Sequence, residues 1–232
     1  MHLPPRRAAL LAGVLFIATA ITTTAPATSA AALPSGITMA SRALAAPPPL
    51  LHQAVADLPV ATESRDGYKR TSFRHWVDAD GNGCSARYEV LISEAIDPPT
   101  VGPGCTLSGG VWYSYYDDQI VTEAGKLDVD HLVPLAEAWD SGASAWDAQR
   151  REEYANYLDR PEHLVAVTAR SNRQKADKDP AQWMPIEQVH CRYIAEWTAV
   201  KRRWELTVDE QEKATLTAEA AKCPNSPLTG ST

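Results

Sequence analysis

"LDVDHLVPLAEAW", residues 127–139, is the stretch on which the reading of this chain turns. Leu127, Val129, Leu132, Val133 and Leu135 make it read as a buried strand, and Pro134 stops it. Asp128, Asp130 and His131 interrupt the apolar run. Adjacent residues on a strand point to opposite faces. Asp130 and His131 therefore address different neighbours, and the pair needs a chemical reason as well as a folding one.

Downstream, "HLVAVT" (163–168) reads as a second short apolar strand. Ser171 is read as the N-cap of a helix through Asn172 and Lys175. Apolar spacing predicts helices over 144–158, 189–204 and 208–221, with a further short one starting at Asp179-Pro180. Upstream, 50–58 reads as a helix, and 68–77, 87–92 and 111–116 as extended segments rich in aromatic or β-favouring residues. The class is α+β, with short strands and a mostly helical C-terminal half.

The chain has 232 residues, enough for one domain with extensions. Arg6 and Arg7 precede an apolar run at 8–21 that is short for a bilayer span, followed by small residues. This predicts a secretory signal peptide over 1–31. An Ala/Pro-rich leader is expected over 32–49, the folded domain over 50–224 and a flexible tail over 225–232. No other segment is apolar enough to span a membrane, so the expectation is a secreted protein without stable membrane association. An exported chain meets oxidising conditions, so its four cysteines point to two disulfides. Three pairings are possible. The local one, Cys84–Cys105 with Cys191–Cys223, is expected, and each bridge is worth roughly 3 kcal/mol in the chain-entropy model.

The net charge is −7, and with the basic N-terminal region set aside the remainder is more acidic still. Bulk attraction to nucleic acid is excluded. A polyanion would need a local basic patch or a bound cation. Residues 150–203 lean basic, and Arg150, Arg151, Arg170 and Arg173 are either backbone-holding groups or solvated helix residues. The tryptophans at 139, 146, 183, 197 and 204 read as core.

"DADGNGCSARYE", 78–89, fits the twelve-residue calcium-loop pattern, with Asp78, Asp80, Asn82 and Glu89 as ligand positions and Gly83 at the sharp turn. Its flanks read as strands, and a tight turn with an acidic edge explains it equally well. A Ca²⁺ bound there would be structural.

The order strand with Asp130-His131, second strand, then "RSNRQK" resembles the HNH endonuclease superfamily and its ββα-metal motif. With "DGNGCSARYEVL", "DVDHLVPLAEAWDSGA" and "LVAVTARSNRQKADKDPAQW", roughly 65–223 looks like a family of secreted bacterial HNH-type proteins, in which the cysteines sit in similar places. The resemblance implies a ββα-metal core with added N-terminal strands and C-terminal helices, stapled by disulfides. It implies His131 as general base, and Asp130 and Asn172 as ligands of a divalent cation, Mg²⁺ first and Mn²⁺ second. His163 stands where Asn is frequent. It would orient the base, add a metal ligand, or do neither. Lys175 would contact a phosphate or lie on an exposed helix face, and Arg170 and Arg173 are the candidate phosphate holders. The chemistry suits phosphodiester hydrolysis: a neutral imidazole takes a proton from water, and hard oxygen ligands suit Mg²⁺. The expected substrate is nucleic acid, DNA ahead of RNA. The alternatives are a non-catalytic calcium-binding module using 78–89 and a silent nuclease-like domain that binds a partner.

Overall fold

The structure is a computed structural model, described here over residues 47–228. The expected signal peptide and most of the leader lie outside the described residues, as do the last residues of the expected tail.

The predicted pair of apolar strands forms. β5 (Leu127–His131) pairs antiparallel with β6 (Leu164–Thr168), in register from Leu127 opposite Thr168 to His131 opposite Leu164. The alternation of β5 sorts its residues. Leu127 and Val129 pack into a small apolar cluster with Val90, Leu91, Trp112, Val121, Leu164 and Ala166. On the other face, Val165 and Val167 of β6, the partners of Asp130 and Asp128, enter the main core. Between the two strands run α3 (Leu135–Asp140) and α4 (Ala148–Ala155).

α5 (Ala169–Lys175) leaves β6 directly. Its cap is Thr168, not Ser171: the Thr168 hydroxyl accepts the Ser171 N–H at 3.2 Å. Among the described residues, the outer edge of β6 carries no further strand. Its N–H groups go to side chains instead, Ala166 to the Glu94 carboxylate (2.8 Å) and Thr168 to the Ser114 hydroxyl (3.0 Å). A buried edge is thus satisfied without a ladder.

α6 (His190–Arg203) and α7 (Glu210–Ala220) form, and with α1 (Leu51–Ala56) they pack on one another and bury side chains in the main core. Both local disulfides are present, Cys84–Cys105 and Cys191–Cys223. The second ties α6 to the chain just past α7. The packing continues past the expected end at 224. Leu228 is buried and its N–H meets the Pro49 carbonyl, while Leu51 N–H meets Ser226.

Several expectations fail, each for a tertiary reason. Residues 87–92 are not extended. α2 (Ala86–Ser93) is a helix that buries Ala86, Val90 and Leu91 on one face, so packing overrides the strand preference of its Val and Ile. Residues 68–77 form no strand. A 3₁₀ turn at Arg70–Ser72 and a left-handed Trp76 (φ +61°) break it. Asp179-Pro180 starts no helix, because the Asp179 carboxylate closes a turn on the Ala181 and Gln182 N–H groups. The N-terminal additions are thus α1, α2 and two hairpins, β1 (Thr100–Gly102) with β2 (Thr106–Ser108) and β3 (Trp112–Ser114) with β4 (Gln119–Val121).

Candidate active site

Asp130 sits on the face of β5 that looks into the core, and it is 6 % exposed. Its Oδ2 accepts the Tyr116 hydroxyl at 2.7 Å and the Lys175 ammonium at 2.8 Å. Lys175 is fully buried and also donates to the His131 carbonyl at 3.1 Å. Both surface readings of Lys175 therefore give way. It is a core counter-ion that ties α5 to β5. Burial raises the Asp130 carboxyl and lowers the Lys175 ammonium, each held back by the other's charge.

The His131 ring lies on the opposite face of β5. Nε2 meets the Ala155 carbonyl, at the end of α4, at 2.9 Å. A carbonyl only accepts, so Nε2 carries the proton and Nδ1 keeps its lone pair. Trp76 lies over the ring with centroids 5.2 Å apart, and Tyr154 is stacked at 6.5 Å. Burial first, then the charges of His163, Arg70 and His75, hold the His131 pKa well below the usual imidazole range against the Ala155 hydrogen bond. His131 is therefore neutral at pH 7.

Asn172 projects from α5 toward β5. Its amide nitrogen donates to Asp128 Oδ2 at 3.1 Å, which leaves Oδ1 as the free ligand atom. Asp128 shares a face with Asp130 two residues away, and Arg173 approaches the same oxygen at 3.6 Å. Asp130, His131, Asn172 and Arg173 wall one cavity of about 320 Å³, together with Arg70, Pro134 and Asp177 among others. Asp130 and Asn172 line the same cavity, and a carboxylate with an amide oxygen is a hard-donor set of the kind that suits a divalent cation such as Mg²⁺.

Other expected site residues lie elsewhere. His163 is 1 % exposed, its Nε2 on the Tyr154 carbonyl at 2.6 Å and its ring against Tyr154, Tyr157 and Trp204. It contacts the chain that positions His131 and does not line the cavity. Arg170 is exposed and does not line the cavity either. Arg150 pairs with Glu205, and Arg151 donates to the carbonyls of Ser72, Ala143 and Trp146. The five tryptophans pack in or against the core as expected.

The 78–89 loop folds on itself. Asp78 accepts the Gly81 and Gly83 N–H groups, each at 3.0 Å. The Asn82 amide bridges Asp80 and Glu89 at 2.9 Å each. Its C-terminal flank is the helix α2, not a strand, and Glu89 lies in the first turn.

A separate acidic cluster was not anticipated. Carboxylate oxygens of Glu63, Glu137 and Glu212 lie within 4.8 Å of one another. The buried Lys201 ammonium already serves as their cation, at 2.6 Å from Glu137 and 3.1 Å from Glu212. Burial, then Glu137, pushes the Glu63 carboxyl up to about 8, and burial pushes Glu212 up to about 7.

Sequence reasoning missed Arg70, Tyr116, Trp76 and the role of Asp128. Asp128 was findable, because it is two residues before Asp130 and so on the same strand face. Nothing in the sequence marked the others.

Residues 105–219 match the family described as GmrSD restriction endonucleases, C-terminal domain. A protein of Arthroderma benhamiae described as an uncharacterized secreted protein is 38 % identical over 160 residues, covering 68 % of this chain and 77 % of that protein. The likeness thus reaches a fungal protein, beyond the bacterial set that the motifs suggested. No solved structure matches the chain. Two disulfides and a secreted relative agree on an extracellular location. The chain is a secreted protein of one family with that Arthroderma benhamiae protein, and its residues 105–219 match the C-terminal domain of GmrSD restriction endonucleases, a likeness that supports a nuclease family.

Proposed function

We propose that the protein is a metal-dependent endonuclease of the HNH type, with β5, β6 and α5 as its ββα-metal core. The observation that carries this reading is the wall shared by Asp130, His131 and Asn172, with the His131 tautomer set by Ala155. Asp130 and Asn172 would hold a divalent cation, Mg²⁺ or Mn²⁺, which supplies charge relief at the phosphate and leaving oxygen. Lys175 and Tyr116 keep the Asp130 carboxylate in place, and Asp128 keeps the Asn172 amide turned. His131 takes the proton of the attacking water at Nδ1. A bound phosphodiester favours the imidazolium that forms and so offsets the burial that holds its pKa down. His163 supports this from behind by fixing the Tyr154 carbonyl, next to Ala155. The substrate is nucleic acid, DNA ahead of RNA, cut with little sequence specificity.

A second reading rests on α2. It places Glu89 in the first turn of a helix, where a calcium loop needs its last ligand. Asp78, Asp80, Asn82 and Glu89 would then hold a structural Ca²⁺ and no catalysis would follow.

Plasmid and RNA cleavage by the oxidised mature protein separates the two. The arms are Mg²⁺, Mn²⁺, Ca²⁺ and EDTA, with His131→Ala alongside. Metal-dependent cleavage that falls about 10²-fold or more in the variant supports the nuclease, the scale of a lost general base. Equal cutting by the variant, or no cutting by folded protein with any metal, would falsify it.

A further inference from the structure

One side of the cavity comes from a segment that precedes the family match, which begins at residue 105. Its backbone is held in an unusual shape. Trp76, a bulky residue at φ +61°, is a true outlier. Such strain persists only where the surroundings over-determine it. Asn156, just past α4, does so from both sides. Its Oδ1 accepts the Val77 N–H at 2.8 Å and its Nδ2 donates to the Arg74 carbonyl at 2.8 Å. The indole is thereby laid on His131, and the preceding turn brings Arg70 to the cavity wall beside Asp130, His131 and Asn172.

The charges around the cavity single out Arg70. Lys175 is paired with Asp130, Arg173 approaches Asp128, and Arg65 reaches Asp177 at 3.5 Å. Among the described residues no carboxylate pairs with Arg70, whose side chain meets the Tyr68 hydroxyl and is otherwise exposed. A guanidinium carries five N–H donors, so most remain for a ligand. Its charge is felt at the His131 ring.

We propose that Arg70 holds a phosphate of the nucleic-acid strand at the cavity, in front of His131. This rests on the nuclease reading. A phosphodiester entering a cavity walled by Asp130 and Asp177 meets like charge, and Arg70 is the cation left to offset it. The planar fork of arginine matches two phosphate oxygens at once.

The test measures anisotropy of a short fluorescein-labelled DNA duplex with the full mature chain in Mg²⁺, across a salt series. His131→Ala is the background, and Arg70→Ala and Arg70→Lys are added to it. The slope of log K against log salt should shrink by about 1 in Arg70→Ala, the mark of one lost phosphate contact, and be retained in Arg70→Lys. With His131 intact, Arg70→Ala should lower kcat/KM by roughly 10- to 100-fold, the scale of a charged hydrogen bond. Arg70 is exposed, so Arg70→Ala and Arg70→Lys should each melt as the protein they are made in, with or without His131→Ala. An unchanged slope with unchanged cleavage would overturn the role of Arg70 alone. A parent protein that neither binds nor cuts nucleic acid overturns the nuclease reading, and Arg70's role with it.

Discussion

At the scale of single residues, the site is built from pairs in which one member fixes the other. Asp128 is the least obvious of these. It contacts no cavity group except through the Asn172 amide and the Arg173 guanidinium. Removing a partner of this kind commonly costs 10- to 100-fold in metal affinity. Asp128→Ala should therefore raise the Mg²⁺ concentration for half-maximal cleavage by about that factor, while far-ultraviolet circular dichroism stays unchanged. An activation curve identical to the parent's would show that Asn172 needs no such support, or is no ligand.

Titration of buried groups also acts at this scale. Glu63, Glu94 and Glu212 are raised to about 8, 7 and 7, mainly by burial. A carboxyl whose pKa is raised on folding binds more protons folded than unfolded. It therefore loses stability as pH rises from the ordinary carboxylate range through the raised value. His163 has the opposite sign. Burial lowers it to about 4, so the stability of its neutral ring is present above the ordinary imidazole value and is lost as pH falls toward 4. Above about pH 6.5 the histidine has no further effect, and these three glutamates each lose stability as they ionise. Urea midpoints should therefore fall between pH 6.5 and 8, and Glu63→Gln should flatten that fall. A midpoint that rises over this interval would contradict the burial of these carboxyls.

At the scale of elements, α3, α6, α7 and the chain at Glu63 are joined through Lys201. All three of its N–H donors are used, on Glu137, Glu212 and the Thr207 carbonyl. Burial alone would lower its pKa, but Glu212 and Glu137 more than compensate and it stays charged. Taking one partner from a buried ionic group leaves the rest uncompensated, at a cost of about 3–5 kcal/mol. Lys201→Met should destabilise the domain by that amount in urea unfolding at pH 7. Adding Glu137→Gln and Glu212→Gln should recover much of the loss, because the stranded charges are then gone. A variant as stable as the parent would mean that the cluster does not bind these helices together.

At the scale of the whole molecule, the cavity is a junction. β5 and α5 supply Asp130, His131 and Asn172, and the segment before α2 supplies Arg70 and Trp76. Nearly all local patterns near the first group were legible in the sequence. The paired strands show as two apolar runs, and α6 and α7 show as helical apolar spacing. The second group was not legible, because residues 68–77 carry aromatic and β-favouring side chains and look like a strand. What breaks that strand is the Asn156 clamp, which lies 79 residues away from Val77. The helix α2 was hidden for a similar reason, since the burial of Val90 and Leu91 under β5 decides it.

The sequence by itself determined the strand–strand–helix order, because apolar period is a local property, while the resemblance of its motifs pointed to Asp130, His131 and Asn172. It narrowed the disulfides to three pairings, of which the structure has the local one. Only the tertiary structure decided that Lys175 is a buried counter-ion, that Asp128 turns the Asn172 amide, that Ala155 sets the His131 tautomer and that Arg70 faces the cavity. Each of these depends on a partner distant in sequence. Burial, which sets the strength of a charge and the need for a hydrogen bond, exists only once those partners have met.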